Sequence, residues 1–390
     1  MDEATRIDRT ALYERVKNAL SAAQAVEAAA LDASVRVRHA ARGMRQEKQG
    51  QGVGLEIALA RRESPRRGNI HLGLGKALVS EMPHTLERMR EGVLTEYRAT
   101  ILVRETGYLT REERAQIDRL VCGDAATFEG WSDTQFEREV KRHAYTLAPE
   151  AVVKRHARAV SERHVSVRPA PDAMAYVTAL VPMPQAVTVK ACLKRDADAV
   201  KATGDERTHD QIEADRFVEL LTGLGSANEV PVTVNLVMTD VALLGGDCEP
   251  AQAVGLGPIP SSIARRWVKT GLAWIRRLYI RPKTGELVGM ESRRRFFPAK
   301  LKQFLDIRDD VCRTPYCGAP IRHHDHILGR QHGGATSSVN GAGVCEGCNY
   351  TVEAPGFTAK PVDGERHAYE LRTPTGHRYV SIAPKATGAA

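Results

Sequence analysis

The chain has 390 residues, of which 42% are hydrophobic and 5% aromatic, and it carries a formal net charge of +8. This length suits two or three domains that each bury a core, and the apolar content excludes a broadly disordered chain. No apolar run reaches about 18 residues, which argues against a membrane span.

The first 164 residues are predicted to be helical. Leu12, Val16 and Leu20 recur at helical spacing in a stretch rich in helix formers, which predicts a long helix from residue 3 to about residue 47, before the glycine-rich break GQGVGLE. Thr110 and Glu113 have the spacing of a capping box, so a helix is predicted to begin after Thr110. The charged first residues, MDEATRIDRT, lack the apolar stretch of a secretory signal, and a cytoplasmic location is therefore expected.

A smaller mixed region is predicted to follow. HVSVRPAP and MAYVTALVP predict two strands around a turn, two helices are predicted at about 184–202 and 208–223, and the alternation in VPVTVNLVMTD predicts a half-buried strand. Further on, SSIARRWVKTGLAW predicts a short helix, RRLYIRPKTGELVGM a hairpin, and PAKLKQFLDIRDD the helix that leads to Cys312. The expected fold class is therefore α+β and mainly helical.

The positive charge is concentrated in the last third of the chain. From Pro258 to the end there are 21 Lys+Arg and 11 Asp+Glu, a net charge of +10, whereas the first 257 residues carry −2. A local excess of this size favours a polyanionic partner, most often nucleic acid, although a solvated surface rich in arginine is the simpler alternative. The candidate phosphate contacts are the basic residues within and just before the cysteine-rich segment: Arg293, Arg294, Arg295, Arg313, Arg322 and Arg330.

Four of the seven cysteines form two close pairs, Cys312-x4-Cys317 and Cys345-x2-Cys348. Four thiolates in this arrangement can close a tetrahedral Zn2+ site. Without a signal peptide, such pairs favour a metal site over a disulfide framework, and reduced cysteine without a ligand is the alternative. The spacing therefore predicts a structural zinc ion, with a loop between the pairs that is long enough to hold another element.

That loop and the second cysteine pair contain Asp325-His326-Ile, then GGATSSVN ending on Asn340, and then CEGCN ending on Asn349. The order Asp-His-Ile, Gly-Gly-x-Thr-Ser-x-x-Asn, Cys-x-x-Cys-Asn resembles the HNH endonucleases. The longer run from RDDVCRTPYCG to EAPGF is similar to actinobacterial HNH proteins with a long helical N-terminal domain of unknown function. The resemblance implies a C-terminal, zinc-stabilised ββα-metal (HNH) module.

The chemistry of these residues agrees with the resemblance. Phosphodiester hydrolysis needs a base for the attacking water and a cation for the developing charge. His326 is suited to be the base, since imidazole titrates near neutral pH. Asp325 is suited to hold the cation, since a carboxylate binds Mg2+ or Mn2+. The family match implies that Asn340 holds the hairpin that presents His326 and that Asn349 is the second protein ligand of the catalytic ion. Because neighbouring strand residues point to opposite faces, the match also implies a distorted hairpin.

Two positions depart from the pattern of this branch. Val352 stands where a phosphate-binding lysine is expected, and Phe357 stands where a tryptophan is expected. Neither change touches the expected catalytic residues, but the valine is expected to weaken DNA binding.

The chain is divided accordingly into a helical domain (1–164), a mixed α+β domain of unknown function (165–257), a basic connecting region (258–305), an HNH nuclease module (306–360) and a C-terminal tail (361–390). The leading interpretation is a metal-dependent HNH endonuclease that acts on DNA. One alternative is a zinc-stabilised DNA-binding module that does not cut, and a weaker one is an interaction scaffold. The N-terminal helices are the expected surface for a homo-oligomer or a protein partner.

Overall fold

The computed structural model describes residues 2–224, 236–239, 242–243, 248–254, 257–270 and 297–385. The described residues fall into two compact units: the first contains 2–156, 297–305 and 311–383, and the second contains the rest. The predicted hairpin RRLYIRPKTGELVGM, most of the predicted strand VPVTVNLVMTD, and Arg293, Arg294 and Arg295 lie outside the described residues. None of the described helices is long and apolar enough to span a bilayer.

The N-terminal part of the chain is helical, as predicted. Its helices are α1 (Glu3–Ala41), α2 (Val53–Arg61), α3 (Pro65–Ser80), α4 (Pro83–Arg90), α5 (Glu96–Thr106), α6 (Arg111–Cys122), α7 (Asp133–Leu147) and α8 (Pro149–Ser161). The capping box before α6 is confirmed, because Thr110 and Glu113 each accept the other's backbone N–H. The segment GQGVGLE is a break only in its first half, where Gly50 and Gly52 have φ of +81° and +94°, and α2 begins within it.

Helix α1 buries a different face from the one that its larger apolar residues mark. Leu12, Val16 and Leu20 are about half exposed to solvent, whereas the buried face carries small residues such as Ala22 and Ala25. The main core of the helical part lies among the later helices and is formed by residues that include Leu78, Met82, Met89, Leu102, Ile117 and Phe136. Small residues on α1 let the neighbouring helices approach closely: a Cβ on Gly75 of α3 would meet the backbone of Ala25 at 2.4 Å.

The second unit contains the mixed elements. They are β1 (His164–Pro169), β2 (Ala175–Leu180), α9 (Met183–Lys201), α10 (His209–Thr222), β3 (Leu236–Val237), β4 (Ala251–Ala253), β5 (Gly257–Ile259) and α11 (Ser261–Thr270). The predicted pair of strands and the two predicted helices after it are confirmed. Strands β3, β4 and β5 form a small antiparallel sheet around Ala251, Ala253 and Ile259.

The C-terminal elements are short. They are α12 (Ala299–Asp309), β6 (His323–His326), β7 (Gly341–Val344), α13 (Glu346–Thr351), β8 (Thr358–Val362), β9 (Ala368–Arg372) and β10 (Arg378–Ile382). Strand β6 pairs antiparallel with β7, and β8, β9 and β10 form a separate antiparallel sheet in the order β10-β9-β8. The described part of 361–390 is therefore not a simple tail, because Tyr369 and Leu371 on β9 are buried in a core.

Helix α2 shares that core with the C-terminal elements. Leu55 and Leu59 pack in one apolar cluster with Ile327, Tyr369 and Leu371. Full burial of a leucine side chain contributes about 1.5–3 kcal/mol. The N-terminal helices and the C-terminal elements thus belong to one compact unit even though about 250 residues separate them in the chain.

Candidate metal centre and histidine site

The four paired cysteines come together in the first unit, as their spacing predicts. The sulfur atoms of Cys312, Cys317, Cys345 and Cys348 all lie within 4.8 Å of one another. The Cys317 Sγ is 3.7 Å from the Cys345 Sγ and 3.6 Å from the Cys348 Sγ. Ligands at the corners of a tetrahedron with bonds of about 2.3 Å lie about 3.8 Å apart, so the sulfur positions fit a tetrahedral metal ion such as zinc.

Local backbone structure positions each sulfur. Cys345 is the N-cap of α13 and its sulfur accepts the backbone N–H of Cys348, 3.4 Å away. On the other side, the Cys312 N–H donates to the Ala319 carbonyl at 2.7 Å, and the Cys317 N–H donates to the Thr314 carbonyl at 3.0 Å, which closes the turn that carries the first pair. Two tight turns therefore present two sulfurs each, and the pairing of β6 with β7 brings the turns together.

Hydrogen bonds among the cysteine side chains also shift their pKa values. Hydrogen bonds from the Cys317 and Cys348 thiols lower the pKa of Cys312 to about 2. The same hydrogen bonding to Cys312 raises the pKa of Cys317 to about 12 and also raises the pKa of Cys348, because these thiols keep the protons. A bound cation would instead favour the thiolate form of all four residues, since the thiolate is the form that binds metal.

His326 is the last residue of β6 and lies in a largely enclosed pocket. Its Nε2 is 2.8 Å from the Thr336 hydroxyl, and its ring lies 4.7 Å from the ring of Phe297, centroid to centroid. Burial lowers the pKa of His326, while the Asp325 carboxylate acts in the opposite direction. The ring is thus held through Nε2 and favoured in the neutral form, with Nδ1 on the side of Asp325.

Asp325 lies next to His326 at the solvent-facing side of the strand. Its side chain is 44% exposed, against 12% for that of His326. The Asp325 Oδ1 accepts the backbone N–H of His326 at 2.8 Å and is 4.0 Å from the His326 Nδ1. The carboxylate is therefore turned toward the next residue, and the side chains of two neighbouring positions come close together.

Asn340 is buried and ties the loop after β6 to the start of β7. Its Nδ2 donates to the carbonyls of Leu328 (3.0 Å) and Ala335 (2.8 Å), and its Oδ1 accepts the N–H of Leu328 (2.8 Å). A Cβ on Gly334 would lie 2.7 Å from the Asn340 Nδ2, so the loop is closed tightly around this amide. These contacts agree with a positioning role for Asn340.

Asn349 is half-buried on α13, between Cys348 and Tyr350. Helix α13 contacts β6, and the ring of Tyr350 lies 5.8 Å from the ring of His323 on that strand, centroid to centroid. Asn349 thus belongs to the helix that lies beside the strand carrying Asp325 and His326.

The arginines proposed as phosphate contacts are not equivalent. Arg322 and Arg330 are exposed, and the Arg330 guanidinium also donates to the Thr336 hydroxyl at 3.1 Å. Arg313 is only 4% exposed, and its guanidinium contacts Ser381 and His367. The proposal for Arg313 is wrong, because its guanidinium is enclosed by the β8–β10 sheet and cannot reach a phosphate.

Replacing Arg313 by alanine is expected to destabilise the protein by about 3 kcal/mol, because the carbonyls of Ser381 and His367 would lose a buried, charged donor. Arg322→Ala is the matched control, with an expected change within about 0.5 kcal/mol, since its side chain is exposed. Denaturant unfolding of the two variants measures the difference. Equal stabilities would show that the Arg313 contacts contribute little.

Two neighbours of His326 could not be predicted from the sequence pattern. Thr336 lies ten positions further along the chain and Phe297 lies well before the cysteine pairs, and neither has a periodic relation to the histidine. The quoted Gly-Gly-x-Thr run already contained Thr336, but the spacing alone did not indicate a contact with the ring.

Comparison with known proteins gives one family. The model of a family described as "Domain of unknown function (DUF222)" matches residues 14–309. No curated protein and no solved structure matches significantly. The match covers the helical part and the mixed region, and it ends just before Cys312.

Proposed function

The chain belongs to the DUF222 family, and we propose its activity from the residues that follow the family match: it is a metal-dependent HNH endonuclease that hydrolyses DNA phosphodiester bonds. The setting of His326 carries this proposal. The imidazole is anchored through Nε2 to Thr336, is favoured in the neutral form by burial, and has Nδ1 4.0 Å from the carboxylate of Asp325. A fixed neutral imidazole beside a partly exposed carboxylate is suited to activate water.

In the proposed reaction, His326 accepts a proton from a water molecule through Nδ1. The water oxygen forms a bond to the phosphorus atom as the bond from phosphorus to the leaving sugar oxygen breaks. Thr336 keeps the imidazole oriented, and Asn340 keeps the surrounding loop closed through its bonds to Leu328 and Ala335.

The donor set also fits a hard divalent ion. Asp325 offers a partly exposed carboxylate, and Asn349 offers an amide oxygen from the adjacent helix α13. Carboxylate and amide oxygens are ligands that Mg2+ and Mn2+ accept. When bound there, such an ion would stabilise negative charge on the phosphate and on the leaving oxygen.

The local architecture supports the same assignment. Two antiparallel strands, β6 and β7, are followed at once by α13. The cysteine pair before β6 and the cysteine pair at the start of α13 lie together in one cluster. A strand–strand–helix module with an acidic residue and a histidine on its first strand is what the HNH resemblance implies. The cysteine cluster would then hold a structural zinc ion, separate from the catalytic ion.

The direct test is plasmid cleavage by the purified full-length protein with Mg2+, Mn2+ or EDTA. Conversion of supercoiled plasmid that requires a divalent ion would support the endonuclease. Salt-sensitive DNA binding without cleavage under any of these conditions would instead favour the zinc-stabilised binding module.

Thr336→Val is expected to lower the single-turnover cleavage rate by about tenfold to a hundredfold. DNA affinity is measured alongside, because Arg330 also donates to the Thr336 hydroxyl. Valine matches the shape of threonine but cannot bond to the His326 Nε2, so the ring loses its anchor. Thr336→Ser keeps the hydroxyl and is expected to restore most of the rate. If the valine variant cleaves as fast as the wild type, Thr336 does not position the base.

A further inference from the structure

The connection between α1 and α2 carries an exposed positive surface. The segment from Arg38 to Lys48, here called the basic connection, contains four Lys+Arg and one acid, Glu47. Its basic side chains are all exposed: Arg38, Arg42, Arg45 and Lys48. Lysine and arginine at such density attract a polyanion unless carboxylates neutralise them.

Carboxylates neutralise many basic residues elsewhere in the helical part but not here. Arg36, half a turn before the basic connection, lies 2.6 Å from the buried carboxylate of Asp32. Arg88 and Arg98 lie 2.8 Å from Glu91 and Asp133. Within the described part of the chain, none of the four basic side chains of the basic connection forms an ion pair. Their charge is therefore available to a partner.

The basic connection is held in a defined shape. His39 is buried, and its Nδ1 accepts the backbone N–H of Gly50 at 3.3 Å, which folds the connection back on the end of α1. The Gln49 amide donates to the Met44 carbonyl at 3.0 Å. These contacts fix the backbone that carries the charges, so less ordering is needed when a partner binds.

The residues just after the basic connection contact the C-terminal part that carries the candidate nuclease site. Gln51, just after the basic connection, donates to the carbonyl of Tyr350 at 3.1 Å, and Tyr350 follows Asn349 on α13. Next to it, a Cβ on Gly52 would lie 2.6 Å from the ring of Phe357, so the backbones approach closely. The residues that follow the basic connection therefore contact the helix that carries the proposed metal ligand and the segment just after it.

We propose that the basic connection binds the phosphate backbone of the DNA duplex on one side of the cleavage site. This inference rests on the proposed function and gives the DUF222 domain a direct part in it. Duplex DNA fits because it presents closely spaced phosphates along a line. Guanidinium and ammonium groups on one exposed segment can bind such a line without reading its sequence.

The test is a triple variant, Arg42→Gln, Arg45→Gln and Lys48→Gln, in the full-length protein. Binding to a random-sequence duplex is measured by fluorescence anisotropy without added Mg2+ or Mn2+ over a series of KCl concentrations, so that cleavage does not interfere and the structural zinc is kept. If each side chain contacts one phosphate, the slope of log K against log [KCl] becomes shallower by about 3. Affinity at 0.1 M KCl should fall on the order of a hundredfold.

A matched control removes the same total charge from exposed positions elsewhere in the helical part: Arg6→Gln, Arg15→Gln and Arg119→Gln. This control should keep a slope close to that of the wild type. If both triple variants have the same slope while the wild type binds and cleaves DNA, the inference is wrong and the proposed function stands. If the wild type shows no salt-dependent DNA binding, both are wrong.

Discussion

His326→Ala is expected to lower divalent-dependent DNA cleavage by about a hundredfold to ten-thousandfold while leaving DNA affinity nearly unchanged. The ring contacts Thr336 and Phe297 in a largely enclosed pocket, so its removal affects the base without removing any exposed cation. Single-turnover cleavage and anisotropy, measured on the same duplex, separate the two effects. Because a general base acts only in the chemical step, the loss should appear in the rate and not in the dissociation constant.

His332→Ala is the matched control for this prediction. His332 lies in a short turn soon after β6 and is exposed. Its loss should leave the cleavage rate within about twofold of the wild type, since exposed substitutions away from the site have small effects. Cleavage that survives His326→Ala would refute the assignment of the base. Loss of both cleavage and binding would point to a folding defect, which circular dichroism detects.

Cys348→Ser is expected to abolish zinc binding and to unfold the C-terminal part of the first unit. Cys348 is fully buried, and its sulfur lies 3.6 Å from that of Cys317 in the cluster. Structural zinc contributes about 10–16 kcal/mol to the folding of small zinc-bound peptides, and such sites need their full ligand set. Elemental analysis should find about one zinc per wild-type chain and almost none in the variant.

The effect is expected to reach α2 as well. Leu55 and Leu59 of α2 pack against Ile327, Tyr369 and Leu371, so a disordered C-terminal part would leave an apolar face of α2 exposed. Limited proteolysis should therefore cut the variant both near α2 and in the C-terminal part. Cys248→Ser, at an exposed cysteine far from the cluster in sequence, is the control. A Cys348→Ser protein that keeps its zinc and resists protease would contradict a structural metal site.

Joining of the N-terminal and C-terminal parts could not be read from the sequence. The division into a helical domain and a separate nuclease module followed composition and motifs, which are local along the chain. Contacts such as Gln51 with Tyr350 and Glu56 with Thr375 join residues about 300 positions apart. No spacing in either segment indicates them, because long-range contacts depend on which apolar faces meet.

The sequence by itself determined the features that depend on near neighbours. The capping box before α6, the helices of the N-terminal part and the two cysteine pairs follow from short spacings, since hydrogen-bonding partners and apolar faces recur within a few residues. The Asp325-His326 pair and the two asparagines were found in the same way, through a motif whose parts lie close together in the chain.

Only the tertiary structure decided which side chains are available and which are enclosed. The sequence gives no reason to treat Arg313 and Arg322 differently, since both lie in the same basic segment. Arg313 is nevertheless buried against the β8–β10 sheet, whereas Arg322 is exposed. Likewise, the anchor of His326 is Thr336, and the segment after the α1–α2 connection contacts α13 through Gln51. The burial of a side chain and its hydrogen-bond partners depend on every segment packed around it. The order of those segments in the sequence does not reveal how they pack.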